Sequence, residues 1–290
     1  LQDLIDSGFV KVVTLNVIKR QGKQSGIIRN ANKIIKGEMI DSCEDTKDAY
    51  VIFRQTPQAI QKTILQSIDR ILTFDGYTFE DIQVLCPQRN GLLGTYMLNY
   101  LIQQKFNPND DGIKVLNQKF QITLDPSKGV ETIELYFKKG DKVIHIKNNY
   151  DKVWFIKDNI DGYKEDESIV GITNGECGII EDILEYKDNQ GEMVKRIIVR
   201  YDDRYVFYDD DFEELDHAYA LTIHKSQGSQ WKAVIMPIAK QNYLMLDNNL
   251  FYTGYTRAEQ FHCTIGQREA IAYAIKTYKS RDRYTNLDKR

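Results

Sequence analysis

The chain has 290 residues, 42% hydrophobic and 28% charged, a globular composition with length for one large domain or two smaller ones. Its 39 basic and 42 acidic side chains leave a formal charge of −3, which excludes a uniformly basic nucleic-acid binder but not a local basic groove. No apolar run approaches the roughly 20 residues that span a bilayer, so no membrane partner is expected. The start, LQDLIDSGFV, has no signal-peptide pattern. Cys43, Cys86, Cys177 and Cys263 lie too far apart for a CxxC metal site; they read as reduced thiols of a cytoplasmic protein, and no metal site is expected.

LQDLIDSG reads as a short helix ended by Gly8; with no initiator Met before it, the chain reads as a fragment. VKVVTLN (10–16) reads as a strand. KQSGIIRNANKIIKGE places Ile27, Ile28, Ala31, Ile34 and Ile35 at helical spacing, with Gly37 as C-cap. AYVIFRQ is a strand. TPQAIQKTILQSIDRILTF is an amphipathic helix with Thr56 as N-cap and Pro57 in its first turn. DIQVLCP is a buried strand, and GLLGTYMLNYLIQQKF (91–106) a helix after the loop PQRNG. Strands alternating with helices imply a parallel sheet with crossover helices.

From about Gly140 to Asp211 the pattern turns Tyr-rich, β-branched and turn-punctuated, which reads as a small antiparallel barrel. The α/β pattern then resumes: YALTIHK and KAVIMPIA as strands, NNLFYTGYTRAEQ as a helix and QFHCTIGQ as a strand. The fold expected is α/β, residues 1–140 and 212–290 forming one domain around an inserted β unit at 141–211. The tail YKSRDRYTNLDKR is polar.

Within AYALTIHKSQGSQW, a polar block interrupts the apolar pattern at the carboxyl end of an expected parallel strand, where α/β folds bind ligands. Thr222, His224, Lys225 and Ser226 offer hydroxyls and a cation to an anionic polymer, with no acid among them, and Gly228 permits close backbone approach. In LFYTGYTRAEQ, Arg257 follows a small-residue turn and is expected near a helix N-terminus, as a phosphate clamp.

In this order and at this separation, TIHKSQGSQW and LFYTGYTRAEQ resemble motifs V and VI of superfamily 1 helicases, in particular the RecD/TraA branch that includes the exodeoxyribonuclease V α chain. LNVIKRQGKQSGIIRNANKIIKGE resembles that family's motif IV. VLCPQRNGLLGTYMLNYLIQQKFNP is similar to its segment with a basic loop, and FKKGDKVIHIKNNYDK with NGECGII is similar to the opening of its inserted SH3-like barrel. The resemblance implies a RecA-like (P-loop NTPase-type) second motor domain with an inserted barrel, from a 5′-to-3′ DNA helicase.

It also implies site roles. Arg20 and Arg257 correspond to arginines that reach the ATP γ-phosphate, Arg20 having a structural ion pair as its other reading. Gln21, Gly228 and Gln230 fall at nucleotide positions, Gln230 where the family has Glu. Thr222, His224, Lys225 and Ser226 match the DNA contacts of motif V, His224 also reading as a packing residue. Arg89, Asn90, Thr95 and Asn99 lie in or after the basic loop. Asn148, Asn149 and Tyr150 line a DNA channel or form a tight turn. Tyr150, Trp154 and Trp231 are candidates for base stacking, Trp231 reading better as packing. The implied partners are single-stranded DNA, ATP, an N-terminal motor domain and other helicase–nuclease subunits.

The sequence holds no G-x-x-x-x-G-K-[ST] phosphate loop: its one Gly-Lys pair, Gly22-Lys23, has no glycine five residues earlier. Asp166-Glu167 lies in the polar run GYKEDESIV and not at the end of an apolar strand. ATP and Mg2+ are therefore expected only in a complete enzyme, and this chain alone is expected not to hydrolyse ATP.

Overall fold

The computed structural model describes residues 4–5, 7–13, 25–74, 76–108, 112–123, 129–158, 162–187 and 191–278. Leu4 and Ile5 are helical. Residues 10–13 of the expected first strand form no strand, and Phe9, Val10, Val12 and Val13 are exposed, with no partner strand among the described residues. Residues 14–16, the last of that strand, lie outside the described residues, as does the polar tail from 279.

Helix α1 (Gly26–Ile35) starts where the Ser25 hydroxyl accepts the Ile27 N–H at 3.2 Å, and Gly37 closes it by donating to the Ile34 carbonyl. Strand β1 (Ala49–Phe53) leads to helix α2 (Pro57–Phe74), whose Thr56 hydroxyl accepts the Ala59 N–H at 3.2 Å. Ile60, Ile64, Ile68 and Ile71 make one buried stripe on α2, as their spacing of three and four residues demands. Strand β2 (Ile82–Cys86) is buried throughout.

Helix α3 (Thr95–Phe106) begins four residues later than the sequence suggests. Residues 88–94 fold back over its start: Thr95 and Tyr96 donate to the Gln88 and Arg89 carbonyls at 3.3 and 3.2 Å. A Cβ on Gly94 would sit 2.2 Å from the Arg89 carbonyl oxygen, so only glycine fits there.

A hairpin that the sequence reading did not contain follows, β3 (Val115–Ile122) with β4 (Glu131–Phe137). Then come β5 (Lys142–His145), β6 (Asn149–Asp158), β7 (Gly162–Ile172), β8 (Cys177–Lys187), β9 (Met193–Tyr201), β10 (Arg204–Tyr208) and β11 (Leu215–His217). These seven form a curled antiparallel sheet in the order β11-β5-β8-β9-β10-β6-β7. Its interior holds Val143, Trp154, Ile197, Val199, Val206 and Tyr208, and takes Val115 and Phe137 from the hairpin.

The last elements are β12 (Ala220–Thr222), β13 (Trp231–Ile238), helix α4 (Asn248–Tyr255), β14 (Ala258–Gly266) and helix α5 (Arg268–Lys276). The sequence reading did not contain α5, whose Ala270, Ile271, Ala274 and Ile275 are buried. The five-stranded parallel sheet runs β1-β14-β13-β2-β12 and all its pairings are parallel. One face packs on α2 and α3, the other on α1, α4 and α5.

Only two residues separate β11, in the curled sheet, from β12, in the parallel sheet. Asp141, fully buried, sits at this crossing. One carboxylate oxygen accepts from Asn107 (2.8 Å) and the Tyr219 hydroxyl (3.1 Å). The other accepts from Gln103 (2.6 Å), His217 (3.1 Å) and the Lys138 backbone N–H (2.8 Å). Asn99 clasps the same crossing, accepting the Ala220 N–H at 2.7 Å and donating to the His217 and Ala220 carbonyls. Next to Asp141, the buried Lys142 ammonium donates to the carbonyls of Phe79, Glu80 and Ile82 at 3.0, 3.4 and 2.8 Å. Burial pushes its pKa down to about 8, which leaves it charged at neutral pH.

Removing Asp141 would strand buried donors from α3, the β4–β5 turn and the crossing strand. Asp141→Ala is therefore expected to cost about 3–5 kcal/mol in urea unfolding; a loss below about 1 kcal/mol, the scale of an exposed ion pair, would show that the network does not hold the crossing.

Candidate nucleic-acid and nucleotide interface

Strand β12 ends at Thr222, level with Cys86 at the end of β2, and the Ile223 N–H continues the pairing to the Cys86 carbonyl at 2.9 Å. The chain then turns: Ser226 donates its N–H to the Thr222 and Ile223 carbonyls and Gln227 to that of His224. Gly228 takes φ +92°, with no atom within 4 Å of where its Cβ would stand. Backbone conformation, not crowding, demands glycine there.

The polar block is thus sorted by direction. His224 is exposed. Thr222 is half-buried, its hydroxyl accepting the Lys225 N–H at 3.3 Å. Ser226 is fully buried and donates its hydroxyl to the Ile223 carbonyl at 2.7 Å, so its expected DNA contact is replaced by an internal bond. Lys225 reaches Asp216 of β11 at 3.4 Å, an acid that the sequence reading did not place beside the block.

Arg89 and Asn90 are exposed in the loop after β2, beside the end of β12. Thr95 (6% exposed) and Asn99 (2%) are buried; Thr95 lies under the loop and Asn99 is spent on the β11–β12 crossing, so neither presents its side chain to a strand outside. On the barrel side, Asn149 donates to both carboxylate oxygens of Glu214 at 3.1 Å. Asn148 accepts from the Asn174 N–H and donates to the Tyr150 hydroxyl. Both Asn residues build the turn into β6, while Tyr150 stays 68% exposed. Trp154 is buried inside the curled sheet, donating to the Gly171 carbonyl, and Trp231 is buried in the core beside the parallel sheet, so neither can stack a base. The exposed groups Arg89, Asn90, His224 and Tyr150, with the half-buried Thr222, Lys225, Asp216 and Glu214 among them, make up this surface.

Arg257 stands elsewhere. It follows the C-terminus of α4 and precedes β14, which corrects the expected helix N-terminus. Carbonyls, not N–H groups, are exposed at such an end and favour a cation. Its Nε donates to the Thr253 carbonyl and Nη1 to the Ser229 carbonyl, both at 3.1 Å. The guanidinium is thereby tied to the loop that carries Gly228. Gln230, next in that loop, lines a polar cavity of about 200 Å3 between the parallel and curled sheets, with Glu80, Lys142, Cys177 and Arg200. Arg20 and Gln21 lie outside the described residues.

Residues 217–260, which contain both the 218–231 block and Arg257, match the UvrD-like helicase C-terminal domain. Residues 116–201 match the ATP-dependent RecD-like DNA helicase SH3 domain. The chain corresponds to the C-terminal portion of a RecD-type superfamily 1 helicase. It is 28% identical over 202 residues to the ATP-dependent RecD2 DNA helicase of Deinococcus radiodurans, which covers 69% of this chain and 22% of that protein. It is 33% identical over 213 residues to an uncharacterised protein of Methanocaldococcus jannaschii, covering 69% of this chain and 17% of the other. The chain thus spans less than a quarter of either relative. The solved Pif1 helicase of Candida albicans is similar at 15% identity with a TM-score of 0.49, over 93% of this chain and 58% of that one.

Within this RecD-type portion, the sequence reading missed Asp216 and Glu214. Both sit in the acid-rich run DDDFEELDH, which gives no hint that it folds against a lysine eight or more residues on. A phosphate that takes Lys225 must displace Asp216. Asp216→Asn is therefore expected to tighten single-stranded DNA binding about two- to fivefold at low salt, a partly exposed ion pair being worth up to about 1 kcal/mol. Unchanged or weaker binding by fluorescence anisotropy would show that Lys225 does not meet DNA.

Proposed function

We propose that the chain is the second motor domain and inserted barrel of an ATP-dependent DNA helicase that moves 5′ to 3′ along single-stranded DNA in the cytoplasm. The observation that carries this reading is the bond from Arg257 to the Ser229 carbonyl. It joins a fixed cation to the loop that leaves the expected DNA-contacting strand end.

ATP with Mg2+ supplies the phosphoryl-transfer energy when bound; the phosphate loop for it is not in these 290 residues. A guanidinium held by two backbone carbonyls fits a γ-phosphate, because its charge is oriented before the nucleotide arrives. Arg257, together with Arg20 and Gln21, would face that phosphate from this side of an interdomain cleft. Gly228 and Gln230 would lie beside the nucleotide. Thr222, His224, Lys225, Arg89 and Asn90 would contact the DNA backbone, with Tyr150 available for stacking. Residues 141–211 would act as the inserted barrel between the motor segments 1–140 and 212–290.

Half of an ATP site holds the phosphate too loosely for turnover. Phosphate release with single-stranded DNA present is expected to stay at background for this chain alone. In a longer protein that supplies the phosphate loop, Arg257→Ala is expected to lower kcat by about 10³-fold. Robust turnover by the chain alone, or full activity of the long protein without Arg257, would contradict the proposal.

A further inference from the structure

On the sheet face opposite α4 and Arg257, a cavity of about 490 Å3 opens between α2, β1 and β14. That volume lies in the range of small-molecule sites. Two cations stand at it, Lys47 and Arg70, both exposed. Neither makes an ion pair or a side-chain hydrogen bond among the described residues. Among the described residues no carboxylate lines the cavity, in a chain whose acids outnumber its bases. Its one thiol, Cys263, is pushed up to about 12 by burial, so it adds no negative charge.

The rest of the lining is specific in chemistry. Tyr50 and Phe261 form an aromatic wall, their rings 5.5 Å apart and tilted by 34°. Tyr77 donates its hydroxyl to the Gln260 side-chain oxygen at 3.0 Å, which turns the Gln260 amide N–H groups to other acceptors. Two unpaired cations with no opposing acid select an anion. An aromatic wall with an amide beside it selects a planar ring with polar edges.

We propose that this cavity binds a nucleobase together with its phosphate, either from a free nucleotide or from the terminal nucleotide of a single strand. The base lies along Tyr50 and Phe261 and meets Gln260 at its edge; the phosphate takes Lys47 and Arg70. The site is separate from the Arg257 cleft and from the strand end at Thr222, being on the other face of the sheet from the first and at the opposite end of the strands from the second.

The test is calorimetric titration of the 290-residue chain with AMP, adenosine, inorganic phosphate, and oligothymidine with and without a 5′-phosphate. AMP, or the phosphorylated oligonucleotide over its unphosphorylated form, is expected to bind about tenfold or more tightly than adenosine or phosphate alone. Lys47 has φ +56°, a conformation that asparagine tolerates, so Lys47→Asn with Arg70→Gln removes both cations without straining the backbone. This double variant should melt at the wild-type temperature and bind about a hundredfold more weakly, about tenfold for each lost charged contact. An AMP signal would assign a free nucleotide; a 5′-phosphate effect without one would assign a strand end. No binding of either probe, binding undiminished in the double variant, or binding lost in Arg257→Ala but kept in the double variant would overturn the proposal.

Discussion

One buried carboxylate organises the molecule. Asp141 accepts hydrogen bonds from α3 and the residue after it, from the β4–β5 turn, and from His217 and Tyr219 at the crossing between the two sheets. A buried acceptor of this kind tolerates little displacement, because any lost donor would be left without water or partner. Its neighbour Lys142, from the barrel strand β5, donates to three carbonyls around the start of β2. The barrel is therefore attached to the parallel sheet by a short, polar seam. The strand that leads to Thr222 leaves directly from it.

This placement explains why polar residues interrupt the core after Leu221. The chain must end a strand three residues long, turn, and begin β13 on the same sheet within nine residues. Ser226 supplies the inward hydrogen bond of that turn and Gly228 its positive φ. The remaining groups, His224 and Lys225, are left facing outward. Where the turn returns to the sheet, the Ser229 carbonyl is held by Arg257. A shift of the guanidinium would be felt at this loop through that contact, a physical link between the two proposed partners.

Much of this was legible in the sequence. The Ile60–Ile71 stripe, the buried strand at 82–86 and the parallel sheet followed from periodicity, since those segments bury one face or two. The resemblance of 222–231 and 250–260 to helicase motifs agrees with the UvrD-like helicase C-terminal domain matched at 217–260. What failed was local geometry. Arg257 was expected at a helix N-terminus because Gly254 and Thr256 look like a turn, yet Gly254 lies inside α4, where a side chain would meet Met236 and Ile223. Thr95, Asn99 and Ser226 looked like surface polar groups; Asn99 instead clasps the β11–β12 crossing more than a hundred residues on, Thr95 is buried under the 88–94 loop, and Ser226 bonds back to the Ile223 carbonyl. The hairpin at 115–137 and helix α5 were missed, the first for its mixed burial pattern and the second for its brevity. Asp216 shows the general reason: no local pattern tells which acid a tertiary fold will set beside a given lysine.

The most direct test of the account is whether Lys225 meets a phosphate. Single-stranded DNA binding is measured by fluorescence anisotropy across a salt series, for wild type and Lys225→Ala. Loss of one phosphate contact should weaken binding and flatten the log–log salt slope by about 0.7. An unchanged slope, or no binding by the wild type at low salt, would contradict the placement of the DNA track at the end of β12.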